Sequence, residues 1–417
     1  MRTSIPENFS TSQGTVIEDF ADLSPFTITG GSVVTSNYIS NQDFRYAAKA
    51  TGNPASDLTM TRALAQSFVL NSITRLMLPV NIIDSQYTAN IKIQFSSDGF
   101  ASKSATKTFT GTDYVGNSNV NGDYGDNTLV VTPGDWTLNN GQLLTDTMTH
   151  MRIIFHSGTG LSGVVYIGQI RKNFDSGTKI IFIWDDENLT QYTVSYPKME
   201  AYGFKGTIAF ANTFLGQAGY MSIAQLLDIQ DNKGWDICSH TRDHVNFSTL
   251  TQAEQELQIS TNKQIMLANG FTSAPNFVIL PQGGHNTSTP PALANQGVLA
   301  CRDGRIGVQH VNQGVDQRYL LKQVELSNTA TAASILASVD DAIRYGASLL
   351  ITGHKVMDTP SSSIEFATAE FDLLLSGLIT RPIEVVKLKD WWFGLQGSRK
   401  KVTRTSVVRT PVTRTRI

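Results

Sequence analysis

The chain has 417 residues, of which 40% are hydrophobic and 16% charged, and its formal net charge is −2. That length exceeds what one hydrophobic core usually fills, so two domains are expected, and the composition is globular rather than disordered. The near-neutral balance gives no general electrostatic case for nucleic acid, and no run of about 18 apolar residues is present to span a membrane. Cys238 and Cys301 are too few for a disulfide scaffold and read as buried free thiols. The opening MRTSIPENFSTSQGTVIEDF has no apolar core of the kind a secretory signal needs, so no classical signal peptide is expected.

From about residue 15 to 175 the chain is rich in Ser, Thr, Asn and Gly, and its apolar residues fall in short alternating runs between turn signals. The runs include 89-ANIKIQFSSDG-99, 128-TLVVTPGDW-136, 149-THMRIIFHSG-158 and 161-LSGVVYIGQI-170. This grammar predicts an all-β, jelly-roll-like sandwich over 1–175. The segments 151–157 and 164–170 predict a closing hairpin. No acid/base or metal cluster occurs here, so this half is expected to bind or build rather than catalyse. Trp136 and Tyr114 are its candidate aromatic stacking surfaces, with core or rim packing as the plainer reading.

The pattern changes at the turn-rich 173-NFDSGT-178. Strand-like runs follow at 179–185, 205–211, 235–240, 276–281, 298–302, 348–354 and 383–388. They alternate with amphipathic helical segments such as 252–270 and 331–346, each ending in Gly. Apolar strands alternating with helices predict an α/β domain over 176–396, with a mostly parallel sheet that is open or closed into a barrel. Residues 397–417 form a basic tail, with seven Lys/Arg and no acid between 398 and 417. It suits an acidic neighbour or a solvated arm.

In such folds the site lies at the carboxyl ends of the strands. Asp185 and Asp186 close the first strand of this half, His240 the third, and His354 a late one, while 281–286 follow the fourth. His240 and His244 have the spacing of two imidazoles converging on one ion, although a hydrogen-bonded loop histidine beside a solvated one would look the same. Paired aspartates after a strand often mark a loop or a helix cap. They also suit a division of labour in which one carboxylate binds a cation and the other accepts a proton. Cys238 is a further ligand option, weaker than a carboxylate for a hydrolytic metal.

In this order, 182-FIWDDE-187, 240-HTRDH-244, 278-VILPQGGHN-286 and 349-LLITGH-354 resemble the successive motifs of the NodB-type polysaccharide deacetylases, carbohydrate esterase family four, over about 178–393. The resemblance implies a distorted (β/α) barrel and metal-dependent removal of acetyl groups from a glycan, with zinc as the expected divalent metal. It implies Asp185 as general base, Asp186, His240 and His244 as metal ligands, His354 as general acid, and the Gln282 N–H as an oxyanion donor. The chain departs from the family at Glu187, where Gly is usual, and a bulky acid there would narrow the entrance or shape the turn. It departs again at Ile279, where an arginine normally orients the catalytic aspartate. Arg302 is the candidate replacement, with a plain surface ion pair as the alternative. The family's fourth motif has no clear counterpart, which leaves open what orients His354, with Asp303 a weak candidate. His285 either lines the cleft or satisfies a turn.

A Ser/Thr/Asn-rich β module beside a glycan deacetylase fits a virion-borne enzyme, part of a phage tail, that meets an acetylated bacterial surface polysaccharide. An extracellular enzyme is the other setting. On this view the β module either attaches the enzyme to its assembly or binds the glycan, with Trp136 and Tyr114 as its sugar-stacking candidates, and other virion tail proteins are expected partners through that module or the basic tail. The competing expectation is a catalytically inactive deacetylase-like scaffold acting as a structural or receptor-binding tail protein, which the departures at Glu187 and Ile279 favour.

Overall fold

The computed structural model describes residues 14–38, 47–53, 56–83, 88–110, 125–157, 164–173, 177–308 and 318–397. Tyr114 and the basic tail beyond Gly397 lie outside them. Among the described residues, the strands between Thr15 and Lys172 are all antiparallel and form two sheets. One sheet is built around Leu76–Ile83, which pairs with Val164–Ile167, Ile170–Lys172 and Gly125–Val131. The other is centred on Thr147–Ser157, flanked by Leu58–Val69 and Thr88–Ser96. Alternate residues of both sheets, among them Val80, Ile82, Ile153 and Phe155, enter one shared core. The first region is therefore β-rich and antiparallel. Its strand order does not single out a jelly roll.

The predicted hairpin does not form. Thr147–Ser157 is hydrogen-bonded along both edges by other strands, so no edge is left for the following segment. Val164–Ile167 joins the opposite sheet, between Ala48–Gly52 and Leu76–Ile83. Trp136 is partly buried against this core, 5.7 Å edge-on from Phe95, which is the rim-packing reading of its ring.

From Thr178 the strands become parallel. They are β1 (Thr178–Asp185), β2 (Gly206–Phe210), β3 (Asp236–Ser239), β4 (Ala274–Ile279), β5 (Ala300–Ile306), β6 (Leu321–Glu325) and β7 (Leu349–Gly353). Each pairs with the next, and β1 pairs with both β2 and β7, which closes a seven-stranded barrel. A short strand, Ile383–Val385, runs beside the start of β1. β6 escapes prediction because LKQVE is short and polar for a parallel strand.

Both faces of β1 are apolar, as a barrel with an outer helical layer requires. Ile181 and Ile183 pack with Ala209, Cys238, Phe277 and Leu350, whereas Ile180, Phe182 and Trp184 join the core that includes residues of the flanking helices. The helices include α1 (Gln252–Ala268) and α2 (Ala332–Tyr345), each started by a threonine capping box. A third, α3 (Leu388–Gly397), lies at the amino-terminal end of the strands. Trp391 donates its indole N–H to Ser348 just ahead of β7, and the Leu388 N–H bonds Thr207 in β2. The opposite, carboxyl-terminal rim carries the strand-end polar residues.

The two regions meet at the C-terminal end of α2. Arg75 of the β-rich region donates to the carbonyls of Arg344 (2.8 Å) and Ile343 (2.6 Å), satisfying groups a helix end leaves unpaired. Arg344 reaches back to Asp135 (2.7 Å) and Thr132 (3.0 Å), and Met77, Val130 and Tyr345 pack together beside them.

Candidate active site

Each element ends where it must to bring its polar residue to the rim. β1 ends at Asp185, and the chain then turns through two left-handed residues, Asp186 (φ 70°) and Glu187 (φ 39°). The side-chain amides of Asn188 and Gln191 hold the Asp185 carbonyl at 3.3 and 2.5 Å, and Gln191 also donates to the His354 carbonyl at 2.9 Å. One buried glutamine thus ties the end of β1 to the residue after β7. Five of the nine non-glycine residues with positive φ among the described residues stand at this rim: Asp186, Glu187, Thr241, His244 and Gln282. Such backbone persists only where surrounding bonds enforce it, and it clusters at functional sites.

Asp186, His240 and His244 converge. Asp186 Oδ1 lies 3.3 Å from His240 Nε2 and 3.1 Å from His244 Nε2. His240 is buried, and its Nδ1–H donates to the Ile279 carbonyl at 2.8 Å, which leaves the Nε2 lone pair facing inward. Despite those short distances, Asp186 Oδ1 is a buried atom without a properly aligned hydrogen bond. Three ligand atoms within 4.8 Å of one another, the carboxylate oxygen among them lacking an aligned hydrogen bond, suit a shared cation, and a carboxylate with two imidazoles is a donor set suited to zinc and its neighbours. Burial raises the Asp186 carboxyl, but the imidazoles of His240 and His244, with His354 behind them, hold it well below the ordinary carboxylate range. Burial likewise works against a charged His240, and the carboxylates of Asp185 and Asp186 outweigh it and raise the ring.

Arg302 is the group that holds Asp185. Its Nη2 donates to Asp185 Oδ2 at 2.6 Å and its Nη1 to Gln323, with both members of the ion pair buried. This is no surface ion pair: Arg302 supplies beside Asp185 the cation that Ile279 cannot. Asp185 Oδ1 is buried without a hydrogen-bond partner. Across the gap, His354 Nε2 stands 3.9 Å from Asp185 Oδ2 and 3.9 Å from Asp186 Oδ2. Gln282 follows Pro281 in a left-handed turn (φ 57°), and Gly283 must be glycine because a Cβ there would lie 2.6 Å from the Gly304 backbone.

The structure decides between readings that the sequence leaves open at three residues. Glu187 does not narrow an entrance: it is 0% exposed, and its Oε2 accepts the Ala211 N–H at 3.0 Å. Burial pushes its carboxyl well above the ordinary value. Asp303 does not orient His354. It is bound by Arg305 and faces His285, while the acid opposite His354 Nδ1 is Glu325, 3.9 Å away at the end of β6. Cys238 is no ligand, since it lies in the apolar barrel core, where burial raises its thiol. His285 satisfies a turn, with its Nδ1 3.2 Å from the Gly283 carbonyl. Glu325, Gln323 and Gln191 were missed. The first two lie on the unread strand, and nothing in the sequence around Gln191 marks it.

The family model described as polysaccharide deacetylase matches residues 172–300. Residues 172–300 are a polysaccharide deacetylase domain. The matched residues include Asp185, Asp186, His240, His244 and Gln282 and stop short of Arg302, Glu325 and His354. The Bacillus subtilis (strain 168) protein YxkH, itself named only provisionally as a polysaccharide deacetylase, is 24% identical over 161 residues, which are 39% of this chain and 56% of that protein. The chain thus spans little more than half the length of that relative. Among solved structures, a family 4 carbohydrate esterase from Streptomyces lividans in complex with acetate matches with TM-score 0.35 and 18% identity, covering 51% of this chain and 92% of that one. A family 4 acetyl xylan esterase from Clostridium thermocellum in complex with a cobalt ion matches with TM-score 0.36 and 18% identity, covering 53% and 92%.

Proposed function

We propose that the protein is a metal-dependent carbohydrate deacetylase that hydrolyses acetyl groups on a bacterial surface polysaccharide. The observation that carries the reading is the convergence of Asp186, His240 and His244 beside the Arg302-held carboxylate of Asp185. Asp186 and the two histidines would hold the divalent metal, with zinc the expected one. Such an ion, when bound, supplies Lewis acidity toward an acetyl carbonyl and toward water.

The chain's own residues supply the rest. Asp185, fixed through Oδ2, offers Oδ1 as the acceptor for the proton of the attacking water. The N–H of Gln282 serves as a donor for the carbonyl oxygen as negative charge develops there. His354, across the gap from both aspartates, returns a proton to the departing alcohol or amine. Arg302 and Gln191 touch no reacting atom in this scheme and act by position.

The inactive-scaffold alternative drew on Glu187 and Ile279, and both departures now have a physical account. Glu187 braces the turn from below, and Arg302 replaces the absent arginine. The setting we propose, presentation on a virion tail, draws on the Ser/Thr/Asn-rich β region and is checked by locating the protein in purified particles.

The test is metal content with acetate release. Wild type is expected to hold about one equivalent of metal, lost in His240→Ala and Asp186→Ala, and to release acetate from an acetylated glycan. Asp185→Asn is expected to keep the metal and lose the activity. Wild type that binds no divalent ion, or that binds one and releases no acetate from any acetylated glycan, would overturn the reading.

A further inference from the structure

Two aromatic side chains at the rim have no part in either core. Phe214 and Tyr220 are half-buried, belong to none of the hydrophobic clusters among the described residues, and stack on each other with centroids 4.6 Å apart and planes 2° from parallel. Phe214 also packs against the metal-facing His244, 5.1 Å between centroids. Large aromatic rings normally contribute through burial in a core, so an ordered pair outside the cores needs another purpose.

The segment carrying them is fixed to the site from two sides. Leu189 N–H donates to the Gly219 carbonyl at 2.8 Å and Met221 N–H to the Glu187 carbonyl at 2.8 Å, so Tyr220 runs beside the turn that follows the paired aspartates. Thr213 N–H donates to the Arg242 carbonyl at 3.0 Å, tying the Phe214 end to the loop between the two histidines. Between the rings, residues 216–219 are exposed. Gly216 and Gly219 are left-handed (φ 80° and 90°), and an added Cβ at either would meet nothing. The wall is rigid where it meets the catalytic residues and bare beyond them.

We propose that Phe214 and Tyr220 form a sugar-stacking wall that packs against the apolar C–H face of a pyranose ring of the substrate, beside the scissile acetyl group. This rests on the deacetylase reading and extends it to the residues that recognise the glycan. A flat, pre-ordered aromatic surface binds a sugar ring at little entropic cost, because its own rotamers are already fixed by stacking. Such a contact discriminates a glycan from an acetyl ester that has no sugar.

The experiment compares wild type, Tyr220→Ala, Tyr220→Phe and Phe214→Leu, all metal-loaded. The substrates are a panel of chito-oligosaccharides and acetylated xylo-oligosaccharides and, as the sugar-free probe, 4-nitrophenyl acetate. Metal content and binding of the same oligosaccharides by calorimetry are measured beside the rates. The expected result is that the ratio of kcat/KM on the best oligosaccharide to that on the sugar-free ester falls roughly tenfold in Tyr220→Ala, mainly through KM, and stays within twofold in Tyr220→Phe. Phe214→Leu is expected to lower the same ratio. An unchanged ratio, or equal losses on both substrates, overturns the wall and leaves Tyr220 and Phe214 as props for His244. If wild type releases no acetate at all, the deacetylase reading fails by itself, and calorimetry still decides the wall. Weaker glycan binding in Tyr220→Ala with recovery in Tyr220→Phe supports it, and equal binding by all forms, or no binding by wild type, overturns it.

Discussion

Replacing Glu187 by glutamine should make the protein more stable at neutral and alkaline pH while leaving it nearly unchanged in acid. Glu187 has no exposed surface, its Oε2 accepts the Ala211 N–H, and its Oε1 has no partner. Burial places its folded-state pKa well above the ordinary value of 4.5, against a smaller opposing effect of the Ala211 bond. A carboxyl raised on folding contributes fully below its unfolded pKa, and that contribution is lost as pH rises through the folded value. In the interval between the two, the folded state holds one more proton than the unfolded state, and stability falls by about 1.4 kcal/mol per pH unit at 25 °C. Glutamine keeps the shape and an acceptor for Ala211 but has no proton to lose. The variant is therefore expected to lie within about 1 kcal/mol of wild type near pH 4.5. Above that it should gain on wild type at up to about 1.4 kcal/mol per pH unit until Glu187 ionises in the fold. Urea midpoints of both proteins from pH 4.5 to 8, with chelator present, measure this, and titrating groups that do not interact with Glu187 cancel in the difference. A difference that does not change with pH would refute the reasoning, because Glu187 would then be ionised inside the fold.

Arg302→Met leaves the buried Asp185 carboxylate without its cation and is expected to cost about 3–5 kcal/mol in denaturant unfolding, with deacetylase activity lost alongside. Glu325→Gln removes a carboxylate 3.9 Å from His354 Nδ1 at a site open enough for water to screen it. About 1 kcal/mol, a fivefold fall in kcat with metal content retained, is expected in steady-state assays. Arg75→Ala strips the cap from α2 at the junction between the two regions. A loss of about 1–3 kcal/mol should register as a lower thermal midpoint, and an equal midpoint would show that the junction carries no stability.

Much of the site could be read from the chain because a parallel strand advertises its end. An apolar run such as 179-KIIFIW-184 stops where the side chains leave the barrel core, and the polar residues that follow, Asp185 and Asp186, fall at the rim. The same logic placed His240, Gln282 and His354. It failed at β6, where LKQVE carries too few apolar residues to announce a strand, and Glu325 and Gln323 were lost with it.

Local pattern also cannot say which sheet a strand joins. Alternation in Val164–Ile167 identified a half-buried strand correctly, but its partners were settled by which edges were already occupied. Sequence by itself thus determined the kinds of element, the residues at their ends and the chemistry those residues can do. Which of them meet was decided by closure of the barrel. Arg302 and Asp185 are 117 positions apart, and Glu325 faces His354 only because β6 and β7 are neighbours, so these pairings follow from long-range packing that no local spacing encodes.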